Sequence, residues 1–310
     1  MTIAAESSGA PRFAFGKNWE RFLRHLNEER IAEAERSLRQ MLGVSDLRGR
    51  TFVDIGSGSG LFSLAARRLG ASRVHSFDYD MDSVRCTQEL RRRSYPDDRN
   101  WTIDRGSVLD AAYMESLGTF DVVYSWGVLH HTGRMWDAID LAAQRVADGG
   151  LFFIAIYNDR GAPSRVWRQV KRLYNTSPPP LKWALVVGTG LYFELDTAAR
   201  ALIRLRNPLP FKAWAAKKRN RGMSVWHDLV DWVGGYPFEV ARPDQIFEFC
   251  SARGFRLVRL KTAYGNDCNQ YVFCREARDA SIAGYASSRA ANATRNSAMR
   301  QSEFYARART

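Results

Sequence analysis

The sequence Val53-Asp54-Ile55-Gly56-Ser57-Gly58-Ser59-Gly60 joins a short apolar run to an amphipathic one. Thr51–Ile55 is typical of a buried strand, and Leu61–Leu69 carries apolar residues at helical spacing. The glycines therefore occupy a strand-to-helix turn, where the backbone bends sharply and approaches a ligand with no Cβ in the way, beside the free N–H groups of the helix. Asp78, at the end of the next apolar run, is placed to bind a ribose diol. The sequence thus predicts a nucleotide-type cofactor site.

The spacing Gly-x-Gly-x-Gly, preceded by an acidic residue in the strand, differs from the Gly-x-Gly-x-x-Gly of dinucleotide-binding enzymes. It resembles motif I of class I S-adenosylmethionine (SAM) methyltransferases, with Gly56, Gly58 and Gly60 as its glycines. The resemblance implies that the backbone at Gly56 and Gly58 meets the methionine end of SAM. Asp54 would hold the amino group of SAM, or order the turn as a buried carboxylate. Asp78 would accept hydrogen bonds from both ribose hydroxyls.

The resemblance also implies an adenine site after the second and third strands. Tyr79 would pack on the adenine, whereas Asp80 is typical of a helix N-cap. Ser107 stands where the family often has an aspartate that binds the adenine amino group. The backbone of Val108 would then meet the adenine edge, and Asp110 is the nearest carboxylate.

Phe120–Thr132 resembles motif IV of the UbiE/UbiG-like small-molecule methyltransferases, in which a strand leads into Leu-His-His. Ser125 and Trp126 fall at the strand's carboxyl end, where doubly wound sheets bind ligands, and we assign them to cofactor and substrate respectively. His130 or His131 would act as a general base or a lid, or would only order the loop. The segment lacks the Asn/Asp-Pro-Pro-Tyr/Phe motif of adenine-N6 methyltransferases. No Pro-Cys or Thr-Cys motif supplies the thiolate of cytosine carbon-5 enzymes.

Strands and helices alternate up to residue 156, which predicts an α/β fold with a parallel, doubly wound sheet. The resemblance implies a Rossmann-like, seven-stranded, mainly parallel sheet that closes with a hairpin after the last helix. We assign 50–156 and 237–275 to the methyltransferase core, 1–49 to a helical cover, 157–236 to a helical substrate-binding insertion after strand five, and 276–310 to a disordered tail. Asn18–Leu42 is predicted to be one amphipathic helix. Met135–Val146 is predicted to be a helix that ends at a glycine cap, Asp148-Gly149-Gly150.

The insertion holds one cluster of functional residue types. His227 and Asp231 are four residues apart and share a helix face, with Asp228 beside them. His227 is therefore a candidate general base, and Asp228, Asp231 and Tyr236 are candidate substrate contacts. A capped, salt-bridged helix is the alternative, and we expect no metal. Leu181–Leu195 is apolar but too short to span a bilayer; it would be a wall over the cleft, a dimer face, an interfacial element or a buried structural helix.

The composition adds a hint about partners and compartment. The net charge of +13 and pI near 9.9 favour a polyanion: nucleic acid, an acidic membrane surface or a phosphorylated substrate. The four cysteines show no Cys-x-x-Cys pair and no zinc-like spacing, which favours reduced thiols in the cytoplasm. The first residues lack the pattern of a signal peptide.

Together these features predict a SAM-dependent methyltransferase that acts on a small or lipid-like organic acceptor, with oxygen favoured over nitrogen as the methylated atom. A base for this reaction would be His227, His130 or His131, in that order. Two alternatives remain at this stage. One is an RNA-modifying or RNA-binding protein, suggested by the charge although nucleic acid is not favoured, and the other is a non-catalytic SAM-binding partner protein.

Overall fold

The protein, represented by a computed structural model, is described here for residues 16–203, 225–263, 265 and 267–277. Its strands are β1 (Thr51–Ile55), β2 (Arg73–Asp78), β3 (Trp101–Arg105), β4 (Phe120–Trp126), β5 (Val146–Tyr157), β6 (Phe255–Lys261) and β7 (Cys268–Arg275). They form one sheet in the order β3-β2-β1-β4-β5-β7-β6. Neighbours from β3 to β5 run parallel, and β7 lies antiparallel between β5 and β6. The predicted doubly wound, seven-stranded sheet is confirmed.

Helices cover both faces of this sheet. They are α1 (Gly16–Arg24), α2 (Glu28–Leu42), α3 (Leu61–Arg68), α4 (Met81–Ser94), α5 (Ala111–Ser116), α6 (Met135–Ala143), α7 (Ala162–Thr176), α8 (Pro179–Ile203), α9 (Val225–Gly234) and α10 (Pro243–Ser251). One core cluster joins α2, α3 and α4 to the sheet, and the other joins α5, α6 and α10 to the opposite face. Because both faces are covered, the central parallel strands β1, β4 and β5 are buried along most of their length.

The sheet reverses its strand order between β1 and β4. The chain moves outward from β1 through β2 to β3, then crosses back so that β4 pairs with the other side of β1. The hydroxyl of Ser125 donates to the carbonyl oxygen of Ile55 at 3.0 Å and joins these two strands at their carboxyl ends. In open α/β sheets the crevice beyond such a reversal is the usual ligand site.

Two predicted helices are wrong in extent. The segment predicted as one helix over Asn18–Leu42 is two helices, because the side chain of Asn27 accepts a hydrogen bond from Arg30 N and begins α2 as an N-cap. The helix predicted over Met135–Val146 ends at Ala143. Val146 already pairs with Phe120 in the sheet, so the glycines of Asp148–Gly150 lie within β5 rather than at a helix cap.

The insertion after β5 contains α7, α8 and α9. These helices share a small apolar cluster of Tyr174, Val186 and Val233. Residues 1–15, 204–224 and 278–310 lie outside the described part of the chain, so the proposed cover, insertion and tail boundaries stay predictions. Among the described helices, none combines the length and apolar character needed to cross a membrane.

Candidate functional site

A cavity of about 1010 Å³ opens at the carboxyl ends of β1, β2 and β4. The glycine turn and Asp78 contribute to one part of its wall. Another part is formed by His131 and by four aromatic residues. The aromatic residues come from three different regions of the chain: Trp126, Tyr157, Trp232 and Tyr236. The cavity therefore brings together the motif I and motif IV residues and part of the insertion.

The glycine turn is packed closely enough to exclude side chains. Gly56 and Gly58 have positive φ values of 75° and 54°. A Cβ at Gly56 would lie 2.5 Å from the side chain of Val128, and one at Gly58 would lie 2.9 Å from the ring of Trp19. Gly60 also has a positive φ, but it contacts Thr87 and starts α3 instead of lining the cavity. The turn thus offers backbone, rather than side chains, to a ligand.

Asp78 is held at the edge of the cavity by two backbone groups. Its Oδ2 accepts a hydrogen bond from Gly58 N at 3.0 Å, and its Oδ1 accepts one from Asp80 N at 2.9 Å. Burial raises the pKa of Asp78 to about 6, against the opposing effect of backbone hydrogen bonds from Asp80, Gly58 and Tyr79. A carboxylate has about four acceptor sites in all, so it can also accept from ligand hydroxyls. This geometry fits the two neighbouring hydroxyls of a ribose.

Asp54 lies beneath the turn in a buried hydrogen-bond chain. Its Oδ2 accepts from the hydroxyl of Ser63 at 2.5 Å, and Ser63 in turn accepts from the hydroxyl of Ser76 at 2.7 Å. Burial raises the pKa of Asp54 to about 7. Asp54 therefore orders the turn, and it also lines the cavity. Its contact with the amino group of SAM stays a prediction.

The predicted adenine region is also at the cavity. Tyr79, Ser107 and Val108 line it, and the hydroxyl of Ser107 accepts a hydrogen bond from Leu109 N at 3.2 Å. Asp110 instead accepts from Tyr113 N at 3.0 Å and caps α5, a helix that the sequence analysis did not predict.

Asp80 has two structural roles. Its Oδ1 accepts from Asp82 N at 2.9 Å and caps α4, as predicted. Its Oδ2 accepts from Gly16 N at 2.9 Å and so fastens α1 beside the cavity.

The two neighbouring histidines differ in their access to the cavity. His131 lines it, and its Nδ1 lies 2.6 Å from the carbonyl oxygen of Pro237. Since a carbonyl only accepts, Nδ1 carries the proton and Nε2 is the acceptor nitrogen of the neutral ring. Burial lowers the pKa of His131 to about 4. His130 is fully buried against His131 and Tyr157, with ring centroids 4.5 and 4.2 Å away, and is not among the cavity residues.

Other predicted site residues fall in three groups. Trp126, which is 41% exposed, and Tyr236 line the cavity. Ser125 is fully buried and does not line the cavity; its hydroxyl joins β4 to β1, so the structure gives it a structural contact in place of the predicted cofactor contact. The side chains of the proposed triplet lie outside the described residues: His227, Asp228 and Asp231.

Sequence analysis missed two residues near this site. Trp19 of α1 covers Gly58, which only the docking of α1 reveals. Lys171 of α7 is fully buried, donates to the carbonyl oxygen of Trp232 and lies 4.2 and 5.0 Å from the ring centroids of Trp232 and Phe238. Burial lowers the pKa of Lys171 to about 7. In the sequence this lysine is one of several basic residues of an amphipathic helix, and nothing marks it as buried.

The known proteins to which this chain is similar are methyltransferases. A family model described as a methyltransferase domain matches residues 22–240. A ribosomal protein L11 methyltransferase of Alteromonas mediterranea is 45% identical over 62 residues, 20% of this chain and 21% of that protein. A ubiquinone biosynthesis O-methyltransferase of Methylobacterium sp. is 31% identical over 120 residues, 39% of this chain and 46% of that protein. The chain therefore spans less than half the length of these curated relatives.

Two solved structures share the fold. Magnesium protoporphyrin IX methyltransferase from Synechocystis PCC 6803, with bound SAH (S-adenosylhomocysteine), aligns with a TM-score of 0.50 and 13% identity, over 84% of this chain and 96% of that one. PKMT2 from Rickettsia typhi, in complex with AdoHcy, aligns with a TM-score of 0.53 and 13% identity, over 78% of this chain and 52% of that one. At this identity the likeness concerns the fold alone.

Proposed function

This chain belongs to the methyltransferase-domain family of class I SAM-dependent methyltransferases, and from that membership we propose that it methylates a small or lipid-like organic acceptor, on oxygen rather than nitrogen. The observation that carries the proposal is the single cavity that joins the glycine turn to an aromatic wall. A nucleotide-type ligand and an apolar acceptor can therefore share one cavity.

The residues at the turn fit SAM. Gly56 and Gly58 leave backbone where a Cβ would collide with Val128 or Trp19, and Asp78 presents two oxygens to a ribose diol. SAM, when bound, supplies a methyl group already activated on a sulfonium centre. The protein then has to hold donor and acceptor in line and exclude water, and such positioning contributes about 7–11 kcal/mol to lowering a barrier.

The aromatic wall favours a ring-containing or otherwise apolar acceptor. This wall is lined by the aromatic residues Trp126, Tyr157, Trp232 and Tyr236. Aromatic side chains bind planar ligands by stacking and edge contacts, and they exclude water from the reacting atoms. This lining supports an aromatic or lipid-like acceptor over a strongly polar one.

His131 supports oxygen as the acceptor atom. Its neutral ring carries the proton on Nδ1 toward Pro237, so Nε2 is the ring atom with the lone pair that an acceptor hydroxyl would need. With a pKa of about 4 it is a weak base, so it suits an acidic hydroxyl such as that of a phenol and orients that group as it loses its proton.

The test uses a matched pair of acceptors. The purified full chain is incubated with methyl-labelled SAM and either an alkylated catechol or the aniline of the same shape, and labelled products are separated from SAM. Transfer to the catechol in clear excess supports the proposal. Preferential transfer to the aniline refutes the oxygen assignment, whereas transfer only to RNA or to ribosomal protein L11 refutes the small-molecule assignment. SAM binding without transfer to any of these acceptors favours the non-catalytic alternative.

A further inference from the structure

The outward face of α8 is apolar along much of its length. Trp183, Val187, Leu191 and Leu195 are 63%, 38%, 60% and 61% exposed. Residues four apart are neighbours on a helix surface, so these side chains form a continuous strip, which we call the outer stripe. Exposed apolar side chains scattered singly are ordinary, but a contiguous strip of this kind marks an interaction surface.

The opposite face of α8 is apolar too and is already covered. Val186 is buried, Leu185 packs against the same cluster, and a Cβ at Gly190 would lie 2.9 Å from the side chain of Leu229 in α9. α8 is therefore anchored to the protein along one side and presents the outer stripe on the other. A helix that is apolar on both sides belongs between two apolar surroundings, and the protein supplies only one of them in the part of the chain that the structure describes.

The positive charge of the protein is concentrated in the same insertion. Residues 157–224 contain fourteen Lys and Arg against three Asp and Glu, which is a net formal charge of +11 out of +13 for the whole chain. α7, which packs against α8, has no acidic residue and exposes Arg165, Arg168 and Arg172. In the sequence after α8, residues 204–224 hold seven Lys and Arg and no Asp or Glu.

We infer that α8 lies on the surface of an anionic lipid bilayer, with the outer stripe at the boundary between headgroups and acyl chains and the exposed arginines of α7, Arg165, Arg168 and Arg172, against the headgroups. Apolar side chains beside concentrated positive charge are the two features that bind a helix to such a surface. A second copy of this chain fits less well, because a dimer built on the outer stripe would bring two segments of charge +11 together.

The inference is independent of the proposed function, and its test measures lipid binding rather than methyl transfer. The full chain is mixed with vesicles of phosphatidylcholine alone, or with one third phosphatidylglycerol, and the bound fraction is measured by flotation. We expect binding to the anionic vesicles only, weakening steeply as NaCl rises from about 0.1 M to about 0.5 M. Equal binding to both kinds of vesicle, or none to either, overturns the inference.

A pair of variants tests whether the outer stripe, rather than any exposed apolar side chain, binds the vesicles. Trp183→Ser/Leu191→Ser removes two exposed stripe residues and should weaken vesicle binding about tenfold or more, without loss of the folded state. Phe247→Ser is the matched control, since Phe247 is 46% exposed on α10, outside the insertion, and should leave binding unchanged.

The oligomeric state in solution tests the alternative that a second copy of this chain, rather than a bilayer, covers the outer stripe. Light scattering without lipid should show the same mass for wild type and for Trp183→Ser/Leu191→Ser. A dimer that the double variant converts to a monomer, with vesicle binding unaltered, would assign the outer stripe to a second copy and overturn the lipid inference.

Discussion

Replacing Asp78 with asparagine tests whether this residue binds the ribose of SAM. The substitution keeps the shape of the side chain but turns one acceptor oxygen into an NH₂ group. Both carboxylate oxygens already accept a backbone hydrogen bond, from Gly58 at 3.0 Å and from Asp80 at 2.9 Å, so the amide has one acceptor atom for several donors. Loss of one hydrogen bond to a charged group costs about 1.5–3 kcal/mol, which raises the SAM dissociation constant by about 10- to 150-fold.

Calorimetric titration with SAM and SAH, with ATP and NAD as control ligands, measures this change. Asp110→Ala is the matched control, because Asp110 is a nearby carboxylate that caps α5 and does not line the cavity. It should lose about 1 kcal/mol of folding stability and keep its SAM affinity. Wild-type SAM affinity in a folded Asp78→Asn protein would refute the ribose assignment.

The pH dependence of SAM binding gives a second check on Asp78. Its pKa in the folded chain is raised to about 6, so it takes up a proton as the pH falls through that value. The protonated carboxyl offers fewer acceptor sites, and SAM affinity should fall by up to about tenfold per pH unit below 6. The same titration in Asp78→Asn should lack this dependence, and a parallel decline in both proteins would assign it to Asp54 instead, whose pKa is about 7.

Three further predictions concern other residues. His131→Asn keeps a donor at the Nδ1 position and loses Nε2, so turnover should fall by about 100-fold or more with SAM affinity unchanged. His131→Gln, which replaces Nε2, should retain more activity. Equal turnover rates in the two variants would contradict a role of His131 in proton transfer. Lys171→Met removes a buried amine whose pKa is about 7 in the folded chain and about 10.4 in the unfolded chain. Between these pH values, urea unfolding should show the stability of wild type relative to the variant rising with pH by up to about 1.4 kcal/mol per unit. A stability difference that stays constant with pH would contradict the burial of a titrating amine. Gly58 has a φ of 54°, and a Cβ there would lie 2.9 Å from Trp19, so Gly58→Ala should lose about 1–3 kcal/mol of stability. Gly49→Ala should lose less, because Gly49 has a φ of 73° and no atom lies within 4 Å of its Cβ position. Equal losses would show that Trp19 moves away from residue 58 without cost.

Local patterns were enough to predict most of the sheet. The strand at Thr51–Ile55 and the glycine turn were predicted with the observed bounds, because buried strands and tight turns restrict residue type within a few positions. The two errors in helix extent have different causes, one local and one distant in sequence. Asn27 interrupts an apolar pattern that continues through α1 and α2, and Val146 enters the sheet because Phe120 is there to pair with it.

The sequence by itself determined the fold class and the position of the candidate cofactor site. Glycine spacing, the strand before it and the acidic residue after the next strand are all features of short sequence segments, and together they mark the turn where a nucleotide-type ligand binds. Tertiary structure decided which candidates share the cavity. It brought His131 to the wall and buried His130 beside it, and it turned Ser125 into a link between strands.

The insertion shows why this division arises. Lys171 and the outer stripe lie in amphipathic or apolar helices whose sequence does not say which face meets the core. Burial depends on neighbours that are distant in sequence, here α9 against α8 and Trp232 over Lys171. A helix period identifies the faces, and only the packing of the other helices decides which face is covered and which is left to bind a partner.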